Sequence, residues 1–481
     1  MGALVRPEAP VPLAELGRVH FAGIGGAGMS GIARIMIARG VKVSGSDAAP
    51  SDLLTALAGL GADVHVGHDA ANIDGADTLV VSTAIRPDNP ELAQARRRGL
   101  RILHRAAALA SVMLGRRGIA VAGTHGKSTT TGMITTILRH AGARPGYVIG
   151  AILAETGLGA EDGAGPAFVA EADESDGSFL MLAPELAVVT SVEADHLDNY
   201  AGLAQIQGAF EQFARRITPG GVLIACADDP GARALAAAAA GAGVAVRSYG
   251  EAAGADYRLT GVRPRGMTVR FGIVPGPGAV PGAPWPAQLE VGVPGRHNAL
   301  NATAAYAAAL EFGLAPGPAA AGLAAYQGIH RRLQPKGEAA GVLVLDSYAH
   351  HPTELAADLR AAREIRPGGR VIAVFQPHLF SRTRIFAAEF GAVLALADVA
   401  FVLDVYAARE DPEPGVTGEL ISGAVPGDGA RFVPDRADVP VAVAAAARPG
   451  DLVLTMGAGD VTALGPLIVA ELRQRGEPPD G

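Results

Sequence analysis

Residues 118–131 read GIAVAGTHGKSTTT. The stretch predicts an apolar strand from Gly118 to Ala122, a glycine-rich turn through Gly123, Thr124, His125 and Gly126, and a helix from Lys127 to about His140. Such a turn gathers backbone N–H groups around one small space, and the helix N-terminus adds roughly half a positive charge there. Phosphate oxygens bind in such a place. Lys127 can reach outer phosphates, and the Ser128 hydroxyl, with Thr129 beside it, can join the shell of a Mg2+ ion. The spacing is Gly-x-x-Gly-Lys-Ser, shorter than the common form because Val121 stands at its first glycine. A plain turn closing a strand gives the same short pattern, so the remaining motifs must decide.

At 481 residues the chain has room for about three domains. Hydrophobic residues make up 49% but aromatics only 5%, so the mean hydropathy of +0.26 comes from alanine and small aliphatics. The Ala-rich stretches at 233–245 and 438–447 are broken by Gly, Arg or Pro, so no membrane insertion is expected. The opening MGALVRPEAPVPLAEL lacks the apolar core of a signal peptide. A single cysteine, Cys226, excludes an intrachain disulfide and fits the cytoplasm. The net charge of −8 argues against a nucleic-acid partner, so anionic small ligands must be held by local donors.

Three segments follow one another. Residues 18 to 108 alternate strands and helices, with Gly23-Ile24-Gly25-Gly26-Ala27-Gly28 after the strand Arg18 to Ala22, a second strand from Val41 to Gly45, and Asp47 about twenty positions beyond the turn. This is the Gly-x-Gly-x-x-Gly fingerprint of a pyrophosphate site, which serves NAD, FAD or any nucleoside diphosphate derivative. A second segment, 109 to 326, holds the phosphate loop on a parallel sheet with strands near 118–122, 167–171, 186–190 and 221–225. Alternation at 257–273 and the Gly/Pro-rich 275–286 predict an appended β region and a loop. The third segment, 327 to 481, alternates again, giving an α/β chain of three domains.

Glu171-Ala172-Asp173-Glu174-Ser175-Asp176 follows an apolar strand, and four acids in six residues repel unless a cation is present. A hard divalent metal beside bound triphosphate is the expected cation, with Glu171 and Ser128 as ligands. His196, after the next strand and flanked by acids, is a candidate second metal ligand. His297, Asn298 and Asn301 open an Ala-rich helix and suit an adenine edge or a helix cap. His330, Arg331, Arg332 and Lys336 supply cations that the acidic chain otherwise lacks. DSYAHHP at 346–352 and QPHLFSRTR at 376–384 each follow a strand, so both are expected on one substrate-facing sheet edge.

The ordered set HFAGIGGAGMSGIA (20–33), GTHGKSTTT (123–131), EADESDGSF (171–179), EADHLDNY (193–200), GRHNALNA (295–302), HRRLQPKGE (330–338), DSYAHHPTE (346–354), FQPHLFSRT (375–383) and MGAGD (456–460) closely resembles the Mur ligases over essentially the whole length. The resemblance implies an N-terminal Rossmann-like domain holding a UDP-sugar, a central ATPase domain, and a C-terminal Rossmann-like domain that closes on ATP and the amino acid. It implies that the lactyl carboxylate of UDP-N-acetylmuramate takes the ATP γ-phosphoryl group and that L-alanine then displaces phosphate, a step in peptidoglycan synthesis.

The resemblance places Lys127 on the transferring group, Ser128 and Glu171 on Mg2+, and His196 on a second Mg2+ or the muramoyl carboxylate. It puts His297, Asn298 and Asn301 on adenine, Arg332 on the ATP phosphates, and Gly23, Gly25, Gly26, Gly28 and Asp47 on the UDP-sugar. His350, His378 and Arg382 are expected to line the alanine pocket. EADESDGSF and GIGGAGMSG favour the alanine-adding members over those that join a recycled peptide. Several relatives hold the second metal with a carbamylated lysine, and no lysine stands between His196 and Arg216 here. Ser191, Ser347, Ala349 and Arg409 depart from the family's usual Asn, Asp, Gly and Gly, and the last three leave L-alanine open to competition from glycine or L-serine. An NAD-dependent oxidoreductase would leave Lys127, Glu171 and His196 without work. An ATP-driven switch would leave the first glycine fingerprint unused.

Overall fold

The computed structural model describes residues 5–196, 199–281, 284–408 and 410–476. Strands and helices alternate along the chain and build three sheets, an α/β architecture as the sequence predicts. Two compact units result. One holds the chain through Thr260 with Gly272–Leu289 and Leu300–Gln327; the other holds Gly261–Phe271, Glu290–Ala299 and the chain from Gly328.

The first sheet runs Asp63–Val66, Val43–Asp47, Val19–Ala22, Thr78–Val81, Arg101–His104, all parallel. Strand order reverses at Val19–Ala22, which feeds the first glycine turn, and a parallel sheet leaves a ligand crevice at such a reversal. The second strand lies two residues later than predicted, in the register Val19 to Val43 and Ala22 to Ser46. Ser46 and Asp47 therefore end the strand beside the turn.

In the second sheet, Ala245–Gly250, Val222–Cys226, Leu186–Val189, Arg117–Ala122, Ala167–Glu171 and Gly146–Leu153 are parallel neighbours in that order. An antiparallel edge strand, Leu158–Glu161, closes that side. Ile119 to Ala122 and Ala187 to Val189 are wholly buried, as strands covered on both faces must be. The first two sheets share a unit because the helix Ala27–Ala38 packs on the edge strands: a Cβ added at Gly31 would stand 2.8 Å from that of Ala160. Arg39 seals the contact with a two-pronged pair to Asp162 at 3.0 and 2.7 Å. The alternation at 257–273 becomes the strands Tyr257–Arg265 and Thr268–Pro275.

The third sheet, in the second unit, runs Gln334–Ala339, Val342–Ser347, Leu452–Met456, Val371–Phe375, Val399–Val402, Ala430–Phe432. Only its first pair is antiparallel. Successive residues feed opposite faces: Leu345, Phe375 and Leu454 join one core, Val344, Val374 and Val453 the other. Asp346 and Gln376 stand at the carboxyl ends of parallel strands flanking Leu452–Met456, which places both expected clusters at one edge.

Candidate active site

The strand Arg117–Ala122 ends in the phosphate loop, and the helix Lys127–His140 begins after Gly126 at φ 82°. A Cβ at Gly126 would stand 2.6 Å from Asn301 Oδ1, so Asn301 lies against the loop. Not every amide of the loop is open to a ligand. The N–H groups of Thr124 and His125 donate to the Ser191 carbonyl and hydroxyl at 2.9 and 3.1 Å, so Ser191, a departure from the family pattern, braces the turn. The first turn of the helix remains as the candidate anion cradle.

Lys127 Nζ donates to Gly123 O at 2.7 Å, Thr124 O at 3.2 Å and Glu174 Oε1 at 2.9 Å. Burial opposes its charge, but Glu174, Asp173 and Glu171 outweigh burial and raise its pKa above the ordinary lysine value. The Ser128 hydroxyl donates to Glu171 Oε1 at 3.0 Å, and Gly150 N–H donates to Glu171 Oε2 at 2.7 Å. These two hard oxygens suit Mg2+, which takes one or two protein ligands and completes its shell with phosphate and water.

The four acids do not need a metal to coexist, contrary to the sequence expectation. Asp173 accepts from Arg105 Nη2 at 2.5 Å and Ser175 N–H at 3.1 Å, Glu174 faces Lys127, and Asp176 accepts from Ser178 N–H at 3.0 Å. Burial would raise the Asp173 carboxyl, but Arg105 and Lys127 hold it far below the usual carboxylate range. The cations are the chain's own.

His196 sits at φ 52°, a left-handed backbone uncommon for a side-chain-bearing residue. Its Nε2 lies 3.6 Å from Glu174 Oε1 and 3.8 Å from Asp195 Oδ2. Burial disfavours the imidazolium, yet the two acids prevail and raise its pKa. Among the described residues no three His, Cys, Asp or Glu side chains gather into a metal-sized group. Leu197 and Asp198 lie outside the described residues.

The first glycine turn, in the same unit, also consumes amides internally. Gly23 and Ile24 N–H donate to Ser46 O at 2.8 and 2.9 Å, Gly26 N–H to Gly23 O at 3.2 Å, and Gly25 N–H to Asp47 Oδ2 at 2.9 Å. Asp47 thus has a structural task that the fingerprint reading did not assign. Behind the turn, Glu91 is fully buried and accepts from Ser46 Oγ at 2.7 Å and Asn72 Nδ2 at 2.8 Å, with His68 Nδ1 at 3.2 Å and His20 Nε2 at 3.6 Å. Burial opposes the charge, but His20, Asn72 and Ser46 bring the Glu91 pKa down to about 2. In front, Arg105 Nη1 would stand 3.5 Å from a Cβ on Gly28 while Nη2 holds Asp173, so this guanidinium reaches from the first turn to the acidic loop.

In the second unit, Arg332 Nη1 donates to Glu354 Oε1 at 3.2 Å, and Glu354 Oε2 accepts the His350 N–H at 3.1 Å. The His350 ring lies edge-on to Tyr348 at 5.2 Å and to His378 at 5.9 Å, and His378 stacks on Tyr406 at 6.0 Å. Burial first, then Arg382 and His378, pushes the His350 pKa down to about 3 against Glu354, so the ring is neutral. His350, His378, Arg382 and Arg332 therefore do form one cluster. His297 Nε2 lies 3.7 Å from Asp358 Oδ1, and burial with Arg332 brings its pKa to about 4. Asn298 Nδ2 donates to Pro294 O at 2.7 Å, a bond at its own helix start. Ser347 and Ala349 are fully buried; the Ser347 hydroxyl donates to Asp358, and Ala349 belongs to the core. Both side chains are turned into the protein, and Arg409 lies outside the described residues.

Sequence reasoning assigned no separate role to Arg105, Glu174 or Glu354. Arg105 directly follows a parallel strand, where a cation could have been flagged, and Glu354 stands four residues after His350 on a helix start. Glu174 carried no signal of its own among neighbouring acids.

Three family models match in chain order: Mur ligase family, catalytic domain, at residues 18–117; Mur ligase middle domain at 121–309; and Mur ligase, glutamate ligase domain, at 331–459. The chain belongs to the Mur ligase family. It is 56% identical over 478 residues to the UDP-N-acetylmuramate--L-alanine ligase of Thermobifida fusca, covering 98% of this chain and 100% of that one. It is likewise 56% identical over 470 residues to the enzyme of that name from Kineococcus radiotolerans, covering 96% and 98%. Among solved structures, UDP-N-acetylmuramate-alanine ligase MurC from Thermotoga maritima superposes with TM-score 0.79 at 27% identity, covering 95% of this chain and 99% of that one.

Proposed function

We propose that the chain joins L-alanine to the lactyl carboxylate of UDP-N-acetylmuramate at the expense of ATP, through an acyl phosphate, in peptidoglycan precursor synthesis. The observation that carries this reading is the convergence, in one unit, of Lys127, Ser128, Glu171 and His196 beside a second glycine turn reached by Arg105. A ligase needs two anionic substrates side by side, and this unit supplies two helix N-termini with a cation at each.

A carboxylate is a poor electrophile, and phosphorylation gives it a leaving group. The protein's part is to position and to neutralise. The first turn of the helix Lys127–His140 binds the triphosphate and Lys127 addresses the transferring phosphoryl group. Ser128 and Glu171 would hold Mg2+, which neutralises phosphate charge when bound. His196 would hold a second Mg2+ or orient the muramoyl carboxylate. The amides opening the helix Ala27–Ala38, with Gly23, Gly25, Gly26 and Gly28 shaping the turn, cradle the UDP pyrophosphate.

Asn301 borders the nucleotide beside Gly126, and His297 and Asn298 complete the adenine site. Arg332 meets the ATP phosphates, and His350, His378 and Arg382 form the amino-acid pocket. Domains at 1–108, 109–326 and 327–481 divide these tasks. We place the reaction in the cytoplasm, where ATP is supplied; no described helix is long and apolar enough to cross a membrane. Phosphate release with ATP, UDP-N-acetylmuramate and each of L-alanine, glycine and L-serine tests the reading. Release with L-alanine is expected, and release at equal rates with the other two would contradict the assigned amine.

A further inference from the structure

We propose that Glu174 is a positioning residue with two successive partners: it holds Lys127 until nucleotide binds, then holds His196 toward the carboxylate to be phosphorylated. The proposal rests on the ligase reading for its second half only. An ammonium has three donors, and all three of Lys127 are taken, by Gly123 O, Thr124 O and Glu174 Oε1. A phosphate oxygen can be bonded only if one acceptor is given up. Two of the three are carbonyls of the loop itself, while Glu174 carries a charge that repels an incoming triphosphate. Glu174 is the partner that yields.

Once released it cannot stay unpaired, because it is 2% exposed and its Oε2 already has no hydrogen-bond partner among the described residues. Among the described residues two basic groups lie within 4 Å of the carboxylate: Lys127 at 2.9 Å and His196 Nε2 at 3.6 Å, both measured to Oε1. The second distance is just beyond a hydrogen bond, so a small rotation of one side chain completes it. The backbones need not move. Tyr200 Oη donates to Glu174 O at 2.5 Å, Asn199 Nδ2 to Ser175 O at 3.0 Å, and the Asn199 and Tyr200 N–H groups to His196 O at 2.9 and 3.0 Å. These bonds tie the acidic loop to the His196 segment and fix the distance across which the carboxylate changes partner.

The test uses the full-length chain and titrates a non-hydrolysable ATP analogue with Mg2+ by calorimetry into wild type, Glu174→Gln and Glu174→Asp, alongside phosphate release with all substrates. Glu174→Gln removes the competitor and the repulsion, so analogue affinity should rise about tenfold, while turnover falls about a hundredfold as His196 loses its holder. Damage to the fold alone would lower both. Glu174→Asp, which keeps the charge but shortens its reach, should leave analogue affinity within about threefold of wild type and still lose turnover. It carries the test should Glu174→Gln fail to fold. Analogue affinity unchanged or weakened in Glu174→Gln, or wild-type turnover in either variant, overturns the proposal. A wild-type chain that binds the analogue but releases no phosphate with all substrates refutes the ligase reading instead.

Discussion

The two glycine turns of the first unit use one backbone device with different supplies of charge. At Gly23–Gly28 and at Gly123–Gly126 the early amides are spent inside the protein, on Ser46 and Asp47 in one case and on Ser191 in the other, so in each proposed site the opening turn of a helix is what can meet a ligand. The phosphate loop carries its cation within itself, at Lys127. The first turn has none, and its cation, Arg105, arrives from the end of the fifth strand. A loop that must transfer a phosphoryl group needs its cation beside the moving charge. A turn that only holds a pyrophosphate can take one from a neighbouring element.

The contrast breaks most sharply at Lys127. Lys127→Ala should lower ligation by at least about a thousandfold, while UDP-N-acetylmuramate affinity, read by calorimetry, stays within about twofold of wild type; equal losses at both ligands would dissolve the distinction. Arg105→Ala should raise KM for the UDP-sugar roughly 10- to 100-fold, with the KM for ATP much less affected. The reverse pattern would put Arg105 in the nucleotide site.

Glu91 sharpens the comparison through stability. Its folded pKa of about 2 lies below the ordinary glutamate value of 4.5, so the stabilisation it gives is present above 4.5 and is lost as pH falls through 2. Between those values wild type should lose roughly 3 kcal/mol more than Glu91→Gln in urea denaturation. Parallel acid limbs would mean that the buried carboxylate does not brace the first turn. Smaller effects separate the glycines: Gly126→Ala, at φ 82° and 2.6 Å from Asn301 Oδ1, should cost about 1 to 2 kcal/mol. Gly28→Ala, in ordinary contact at 3.5 Å, should change stability by less than about 0.5 kcal/mol. Thermal melts check both.

Much of this was legible in the sequence because buried parallel strands write themselves as short apolar runs. Ile119 to Ala122 and Leu186 to Val189 announced themselves in that way, and glycines marked the turns at Gly23–Gly28 and Gly123–Gly126. Asp63–Val66 did not, since it is an edge strand with half-exposed or exposed side chains and no apolar run. Gln334–Ala339, also at an edge, contains Pro335, Lys336 and Gly337, which local propensity reads as loop; pairing with Val342–Ser347 overrides it. Within the site, single motifs could be read, but pairings across sequence could not. Arg105 meets Asp173 sixty-eight residues away, and Glu174 meets Lys127 across forty-seven. Their charges explain why four clustered acids are tolerated, which composition alone had assigned to a metal.

The most direct measurement labels both oxygens of the lactyl carboxylate of UDP-N-acetylmuramate with 18O and follows the released phosphate by mass spectrometry during turnover with ATP and L-alanine. Attack of that carboxylate on the γ-phosphorus carries one labelled oxygen into each phosphate formed. Unlabelled phosphate, with both heavy oxygens left on the sugar, would mean that water takes the phosphoryl group and that the two cradles do not serve a common reaction.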